Sequence, residues 1–137
     1  MNTSAEIEGM LEARSFCVVG ASRDPEKYGY AVYQAIKSSG KKVYPVNPNA
    51  QAIGTSPCYA NVQALPETVD VAVFVVPPAV VETVVPEAFA LGVKQMWMQP
   101  GAISEAAVEF CEANGIPVVA GECIMTRLHE EIADDDM

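Results

Sequence analysis

A short turn of small residues, Gly20-Ala21-Ser22, is the segment of this sequence best suited to holding an anion. It follows an apolar run that begins at Phe16, and it precedes a predicted helix over residues 29–39. Glycine lets the backbone approach a phosphate closely, while exposed amides and a helix N-terminus carry positive potential. The pattern is therefore typical of the first turn in a nucleotide-binding sheet. The Ser22 hydroxyl offers one more donor. A tight strand-to-helix connection without a ligand is the alternative interpretation.

NAD is the first nucleotide to consider for such a turn, and two features argue against it. The full Gly-x-Gly-x-x-Gly spacing is absent. The second predicted strand ends in Val46-Asn47-Pro48-Asn49, so no Asp or Glu is present there to bind a ribose diol. A nucleotide whose ribose is phosphorylated, or makes no specific contact with the protein, fits this strand end better than NAD does. An NAD(P)-binding oxidoreductase component is kept as an alternative.

A cysteine and a histidine near the C-terminus are further candidates for chemistry. Cys123 follows the last predicted strand and begins a predicted helix over residues 123–132, whose N-terminus would lower the thiol pKa and favour the thiolate. A small buried cysteine in the core is the competing interpretation. His129 is the only histidine, and we interpret it as a surface residue of that helix rather than a catalytic base. The four cysteines have no zinc-binding spacing, and we expect no metal site.

Five nearly continuous apolar runs must position these residues, at 16–20, 43–46, 71–76, 95–98 and 117–120. Continuous rather than alternating apolar character is typical of strands covered on both faces, as in a parallel sheet. Helical stretches lie between most runs, and Gly40, Gly92 and Gly115 each mark a junction from helix to strand. We predict helices over 79–91, where Pro86 indicates a kink or a late start, and after an N-cap at Ser104. A helical turn is predicted near 61–65.

Size and charge limit the class of protein. With 137 residues, half of them hydrophobic, we predict a single domain spanning residues 1–137, with its core at about 14–128 and an acidic tail at 134–136. The net charge of −10 argues against nucleic-acid binding, and no apolar run is long enough for a membrane span. We expect a cytoplasmic protein. Basic residues nevertheless accumulate in the sequence beside the turn, namely Arg23, Lys27, Lys41 and Lys42. We expect them to offset the charge of a polyanionic ligand. The alternative interpretation is a solvated helix face.

Several motifs together resemble the CoA-binding domain family, the small stand-alone relatives of the N-terminal domain of the succinyl-CoA synthetase α subunit. The resemblance covers residues 14–128. It is carried, in order, by Val18-Val19-Gly20-Ala21-Ser22, by Val43-Tyr44-Pro45-Val46-Asn47-Pro48, by Val75-Val76-Pro77-Pro78, and by the stretches 97–102 and 115–119. The segment around Cys123 departs from the more polar one found in relatives, so chemistry shared at that cysteine is an open question.

The resemblance implies an α/β, Rossmann-like three-layer fold with a five-stranded parallel sheet, and coenzyme A bound across the carboxyl ends of its strands. By position, the turn at Gly20, Ala21 and Ser22 would face the pyrophosphate, with Lys27 and Arg23 balancing its charge. The ribose and adenine would lie near Asn47 and Pro48, with Val76 and Pro77 packed on the adenine. The pantetheine arm would lie near Gln99, Pro100 and Gly101. Tyr28 either covers the ligand or serves packing alone.

These observations predict a protein that binds CoA or an acyl-CoA as a carrier, sensor or regulatory partner, and that is not a complete enzyme on its own. Because Cys123 should emerge at the same sheet edge as the turn, thiol exchange with CoA under oxidising conditions is a further hypothesis. A CoA-binding subunit of an acyl-CoA ligase is another alternative, although such ligases use a phosphorylated histidine on a second domain and a nucleotide-grasp partner, and this chain has room for neither. A protein partner or a homodimer is compatible with each role.

Overall fold

A five-stranded parallel sheet forms the centre of the molecule in the computed structural model, which describes residues 2–128. Its strands run in the order β2-β1-β5-β6-β7, and every neighbouring pair is parallel. The expected α/β, Rossmann-like fold is confirmed. The strands are β1 (Ser15–Val19), β2 (Lys42–Val46), β5 (Val71–Phe74), β6 (Gln95–Met98) and β7 (Val118–Ala120).

Helices cover both faces of this sheet and explain why the strands are apolar throughout. Every residue of β1, β5 and β7 is buried. Alternate strand residues belong to two separate core clusters, one with α3 and α4 and the other with α1 and α2. The helices are α1 (Ser4–Leu11), α2 (Tyr28–Ser38), α3 (Pro78–Ala90), α4 (Glu105–Ala113) and α5, described over residues 124–128. None of the helices within residues 2–128 is long and apolar enough to cross a membrane.

The N-terminal helix α1 is the main element that the sequence analysis did not predict. Its start carries a recognisable signal, because the Thr3 hydroxyl accepts from the Glu6 amide while the Glu6 carboxylate accepts from the Thr3 amide. Just before it, the Asn2 side chain both donates to and accepts from the backbone of Ala120. Asn2 thereby covers part of the free edge of β7.

The long connection after β2 contains more structure than the predicted helical turn. That turn exists as a 3₁₀ helix at Val62–Ala64, capped by the Asn61 side chain. A two-stranded hairpin of β3 (Ala52–Ile53) and β4 (Ser56–Pro57) precedes it, and Tyr59 bridges to Val46 at the outer edge of β2. The connection therefore shields the second free edge of the sheet.

Two helix predictions need comment. Helix α3 begins at Pro78 and contains Pro86, so the late start that Pro86 could indicate is wrong. The Ser104 N-cap of α4 is confirmed, because its hydroxyl accepts from the Ala107 amide at 3.1 Å. The last helix begins after Cys123, as expected. Three predicted features lie outside the described residues: the end of this helix at Ile132, the surface position of His129 and the acidic tail.

The β1–α2 turn is packed so closely that two of its glycines cannot be replaced without movement. Gly20 has φ +102°, and a Cβ there would lie 2.3 Å from the carbonyl oxygen of Val75. Gly29, in the first turn of α2, is buried, and a Cβ there would lie 2.0 Å from the carbonyl oxygen of Gly20. Both contacts are with backbone, which cannot swing aside as a side chain would.

We predict that Gly29→Ala lowers the free energy of unfolding by about 2 kcal/mol, because the methyl group forces α2 away from the turn. Gly9→Ala is the matched control, since Gly9 is also helical and no atom lies within 4 Å of its added Cβ. The control should gain about 0.5–1 kcal/mol from helix propensity. Urea unfolding of both variants measures this, and equal effects would contradict the close contact.

Candidate functional site

The carboxyl ends of the parallel strands bring the predicted site residues to one edge of the sheet. Residues 20–23 follow β1, residues 47–49 follow β2, residues 75–77 follow β5, residues 99–101 follow β6 and residues 121–123 follow β7. Ligands of open α/β sheets bind at this edge, where loops diverge and helix N-termini point inward.

Side chains of the β1–α2 turn accept hydrogen bonds from the backbone amides of the same turn. The Ser22 hydroxyl oxygen accepts from the Asp24 amide at 3.0 Å, and the Asp24 carboxylate accepts from the Glu26 amide at 3.0 Å. The hydroxyl hydrogen of Ser22 is left for another acceptor. At the end of the turn Lys27 occupies the N-cap of α2 without a side-chain cap, so the first amides of the helix carry no side-chain acceptor.

Asn47 connects the end of β2 to this turn. Its Nδ2 donates to the carbonyl oxygen of Ala21 at 2.8 Å, and its Oδ1 accepts from the Asn49 amide at 2.8 Å. A carboxylate cannot donate to a carbonyl, which explains why this position has an amide where a dinucleotide-binding sheet has an acid. Asn47 therefore supports the turn and also lines the cavity described next.

A cavity of about 450 Å³ lies between the ends of β1, β2 and β5 and the first turns of α3. Gly20, Asn47, Pro48, Val76 and Pro77, all predicted site residues, line it. The sequence analysis missed the rest of the wall, supplied by the 3₁₀ turn and by α3. The sequence signals for these two elements were the predicted helical turn near 61–65 and the predicted helix over 79–91, neither of which had been linked to a site. The residues that the 3₁₀ turn and α3 contribute to the cavity wall are Asn61, Val62, Gln63, Val80, Val84 and Glu87.

A second cavity, of about 370 Å³, continues along the same edge between the ends of β5 and β6. It shares Val76 and Pro77 with the first cavity and adds Pro100 and Gly101. Its lining is apolar apart from the backbone. The two cavities together form a path from the β1–α2 turn toward the residues that follow β6.

Three side chains, from the first residue of α2, the segment after β6 and the segment after β7, meet beside the end of β6. Gln99 is fully buried, and its Nε2 donates to the Tyr28 hydroxyl oxygen at 2.7 Å and lies 3.6 Å from Cys123 Sγ. The Tyr28 hydroxyl lies 3.3 Å from the same sulfur. The indole of Trp97 donates to the Glu122 carbonyl at 2.9 Å and thereby holds the loop before Cys123.

These contacts change the acidity of both titratable groups. Burial raises the pKa of the Cys123 thiol, but hydrogen bonds from Tyr28, from the Thr126 backbone and from Gln99 outweigh it, so the net pKa lies below its ordinary value. Burial and the neighbouring Cys123 raise the pKa of Tyr28 to about 12, so the phenol keeps its proton near neutral pH. The expected thiolate character of Cys123 thus has a structural basis in hydrogen bonds from three elements.

The basic residues divide between the two edges of the sheet, which corrects the expectation of one cluster. Arg23 and Lys27 lie exposed at the carboxyl edge. Helix α2 carries the chain back to the amino edge, where Lys41 donates to the Ala13 carbonyl at 3.1 Å and Lys42 pairs with Glu67. Lys41 and Lys42 cannot face the turn, so only Arg23 and Lys27 are placed to balance charge there.

A larger cavity, of about 770 Å³, lies at the amino edge of the sheet. Glu12, Asp70 and Lys94 contribute its charged groups. Asp70 already accepts from the amides of Arg14 and Ser15. None of the predicted site residues lines this cavity, and no helix of the sheet directs its N-terminus there from a preceding strand. The larger volume of this cavity alone does not make it the functional site, and the carboxyl edge is the candidate site.

Comparison with known proteins shows what this chain is similar to. A family model described as CoA binding domain matches residues 14–129. A solved structure of a conserved hypothetical protein from Pyrococcus furiosus is 46% identical, with a TM-score of 0.79, and the match covers 83% of this chain and 98% of that one. A hypothetical protein from Pyrococcus horikoshii is 30% identical with a TM-score of 0.87, covering 94% and 91% of the two chains.

Larger relatives contain this domain as one part. The α subunit of an ADP-forming acetate–CoA ligase II from Pyrococcus furiosus is 31% identical over 129 residues, a match that covers 86% of this chain but only 28% of that subunit. Against an ADP-forming acetate–CoA ligase II from Archaeoglobus fulgidus the chain spans 16% of the relative's length at 33% identity. From its sequence motifs, its fold and these matches, the chain belongs to the CoA-binding domain family.

Proposed function

We propose that this protein binds coenzyme A, or an acyl-CoA, across the carboxyl edge of its sheet. One observation carries the proposal: two cavities that share Val76 and Pro77 adjoin at this edge, one lined also by Gly20 and Asn47 and the other by Pro100 and Gly101. CoA is an elongated ligand with a pyrophosphate near its middle, a nucleoside at one end and a thiol at the other. The first cavity would take the nucleoside, the β1–α2 turn the pyrophosphate and the second cavity the pantetheine arm, with Cys123 following β7 at the same edge.

The groups available along this path fit the parts of the ligand. The pyrophosphate would accept from the Ser22 hydroxyl and the first amides of α2, with Arg23 and Lys27 balancing its charge. The adenine and ribose would occupy the 450 Å³ cavity beside Asn47, Pro48, Val76 and Pro77. The pantetheine arm would follow the apolar cavity beside Pro100 and Gly101, next to Gln99.

The biological role that fits best is a cytoplasmic carrier, sensor or regulatory partner for CoA. A CoA-binding subunit of an acyl-CoA ligase is the second candidate. This candidate is favoured by the similarity to a ligase α subunit. The match covers 28% of that subunit, so most of the subunit lies outside the region that is similar to this chain. In that case a protein partner supplies the catalytic groups. An NAD(P)-binding role is less favoured, because Asn47 is engaged with Ala21 and offers no carboxylate.

We predict that calorimetry gives a micromolar Kd for CoA, about −8 kcal/mol, and much weaker binding of NAD. The reason is that the end of β2 lacks an acid for the ribose diol, while the path at the edge of the sheet has room for pantetheine. Acetyl-CoA and ATP complete the series. NAD binding as tight as CoA binding would overturn the proposal.

We predict that Lys27→Glu weakens CoA binding at least tenfold, about 1.4 kcal/mol, because the reversed charge lies at the start of α2 beside the pyrophosphate. Binding should also weaken as salt rises. Lys94→Glu makes the same charge change at the amino edge and serves as the matched control. If both variants bind alike, Lys27 belongs to a solvated surface and not to the site.

Thiol exchange is the finer part of the proposed function. The Cys123 thiolate would attack CoA disulfide, so that one CoA stays bonded to the protein and the other leaves as a thiolate. We predict a mass gain of one CoA after incubation with CoA disulfide, removed by reductant and lost in Cys123→Ser. Cys58→Ser should still form the adduct. An adduct on Cys58, or none, would return the protein to reversible CoA binding alone.

A further inference from the structure

We propose that Cys123, Tyr28 and Gln99 form a nucleophilic site that takes the acyl group of an acyl-CoA onto the cysteine sulfur. The inference rests on the proposed function, because the thioester must reach Cys123 along the CoA path. It goes beyond that function in assigning a covalent acyl–protein state, which needs no oxidant.

The direction of the hydrogen bonds is set by a backbone group. The amide of Ile124 can only donate, and it donates to Gln99 Oε1 at 2.8 Å. Gln99 must therefore turn Nε2 toward Tyr28 and Cys123, where the two amide hydrogens meet the phenol oxygen and the sulfur. When Cys123 is a thiolate its sulfur can only accept, so the Tyr28 hydroxyl at 3.3 Å then donates to it. Cys123 Sγ is thus the acceptor at the end of this chain.

The other cysteines show the opposite arrangement. Cys58 Sγ donates to the Asn47 carbonyl oxygen at 3.7 Å, and burial raises its pKa. Cys17 and Cys111 are buried in the core among apolar side chains, where burial raises their pKa to about 12 and about 11. Cys58 and Cys123 are both partly exposed, but of the four thiols Cys123 is the one with two side-chain donors, Tyr28 and Gln99, within reach of its sulfur.

The reaction balances without a further reagent. The Cys123 thiolate attacks the thioester carbonyl, a carbon–sulfur bond to Cys123 forms, and the bond to the CoA sulfur breaks. CoA leaves as a thiolate that takes a proton from solvent, and one thioester replaces another. Tyr28 keeps its proton and shifts its hydrogen bond from one sulfur to the other. The Gln99 N–H directed at Sγ would lie beside the carbonyl oxygen of an attached acyl group.

Tyr28 and Gln99 act on the cysteine in this scheme, and Tyr28 is the better one to test. Gln99 is fully buried and supports Ile124, so its replacement disturbs the fold, whereas Tyr28 is 40% exposed. Removing only the hydroxyl in Tyr28→Phe leaves the ring in place. Tyr30→Phe is the matched control, since Tyr30 lies in the same turn of α2 and its ring packs against the core.

The experiment incubates the reduced full chain with acetyl-CoA and follows its intact mass. We expect a gain of one acetyl group that hydroxylamine removes, that is lost in Cys123→Ala and that persists in Cys58→Ala. At saturating acetyl-CoA near neutral pH, Tyr28→Phe should slow acetylation about tenfold or more. Iodoacetamide alkylation gives a readout independent of CoA: the pH midpoint for Cys123 should rise in Tyr28→Phe and stay unchanged in Tyr30→Phe.

Other outcomes separate this inference from the proposed function. If calorimetry shows CoA binding but no acetyl group appears on Cys123, acyl transfer is wrong and CoA binding stands. Acetylation of Cys58, or an alkylation midpoint that does not move in Tyr28→Phe, also overturns the assigned site. If CoA does not bind at all, the proposed function and this inference fall together.

Discussion

Three backbone segments meet at Gly20 with no space for a side chain between them. The carbonyl of Val75 approaches Gly20 from one side, and the first turn of α2 at Gly29 lies against its carbonyl from the other. This contact brings the N-terminus of α2 directly onto the end of β1. It thereby places the free amides of the helix, and Tyr28 at its first position, at the edge where the cavities open. The rest of the site depends on this close approach.

Helix capping differs between the two helices that begin beside Gly20, Val76 and Pro77 and two other helices of the molecule. Helices α1 and α4 begin with side-chain caps from Thr3 and Ser104. Helices α2 and α3 begin at the carboxyl edge after Lys27 and Pro77, neither of which caps the helix with its side chain. Uncapped amides attract an anion, which is how a protein with net charge −10 can offer a favourable potential to a pyrophosphate.

One of the three buried polar residues described in the structure, Gln99, lies where chemistry is proposed, whereas Ser15 and Ser104 lie elsewhere. Gln99 is one of few buried polar residues, and each of its polar atoms has a partner. Among the described residues no buried side-chain nitrogen or oxygen lacks a hydrogen bond. Because an unpaired buried amide is costly, Gln99 has one stable orientation, and that orientation directs donors to Cys123. The same hydrogen bonds therefore give the buried amide of Gln99 its partners and direct donors at the Cys123 sulfur.

The sequence by itself determined the parallel sheet, its helical crossovers and the turn of small residues after β1, because apolar runs, helix-ending glycines and a Gly-Ala-Ser turn are local signals. It also indicated the family through motifs at strand ends. It did not determine which distant side chains meet. Lys41 and Lys42 are close to Lys27 in sequence, but α2, about 16 Å long, carries them to the opposite edge. Tyr28, Gln99 and Cys123 are far apart in sequence, and only the adjacency of the strand ends and the packing of α2 bring them together.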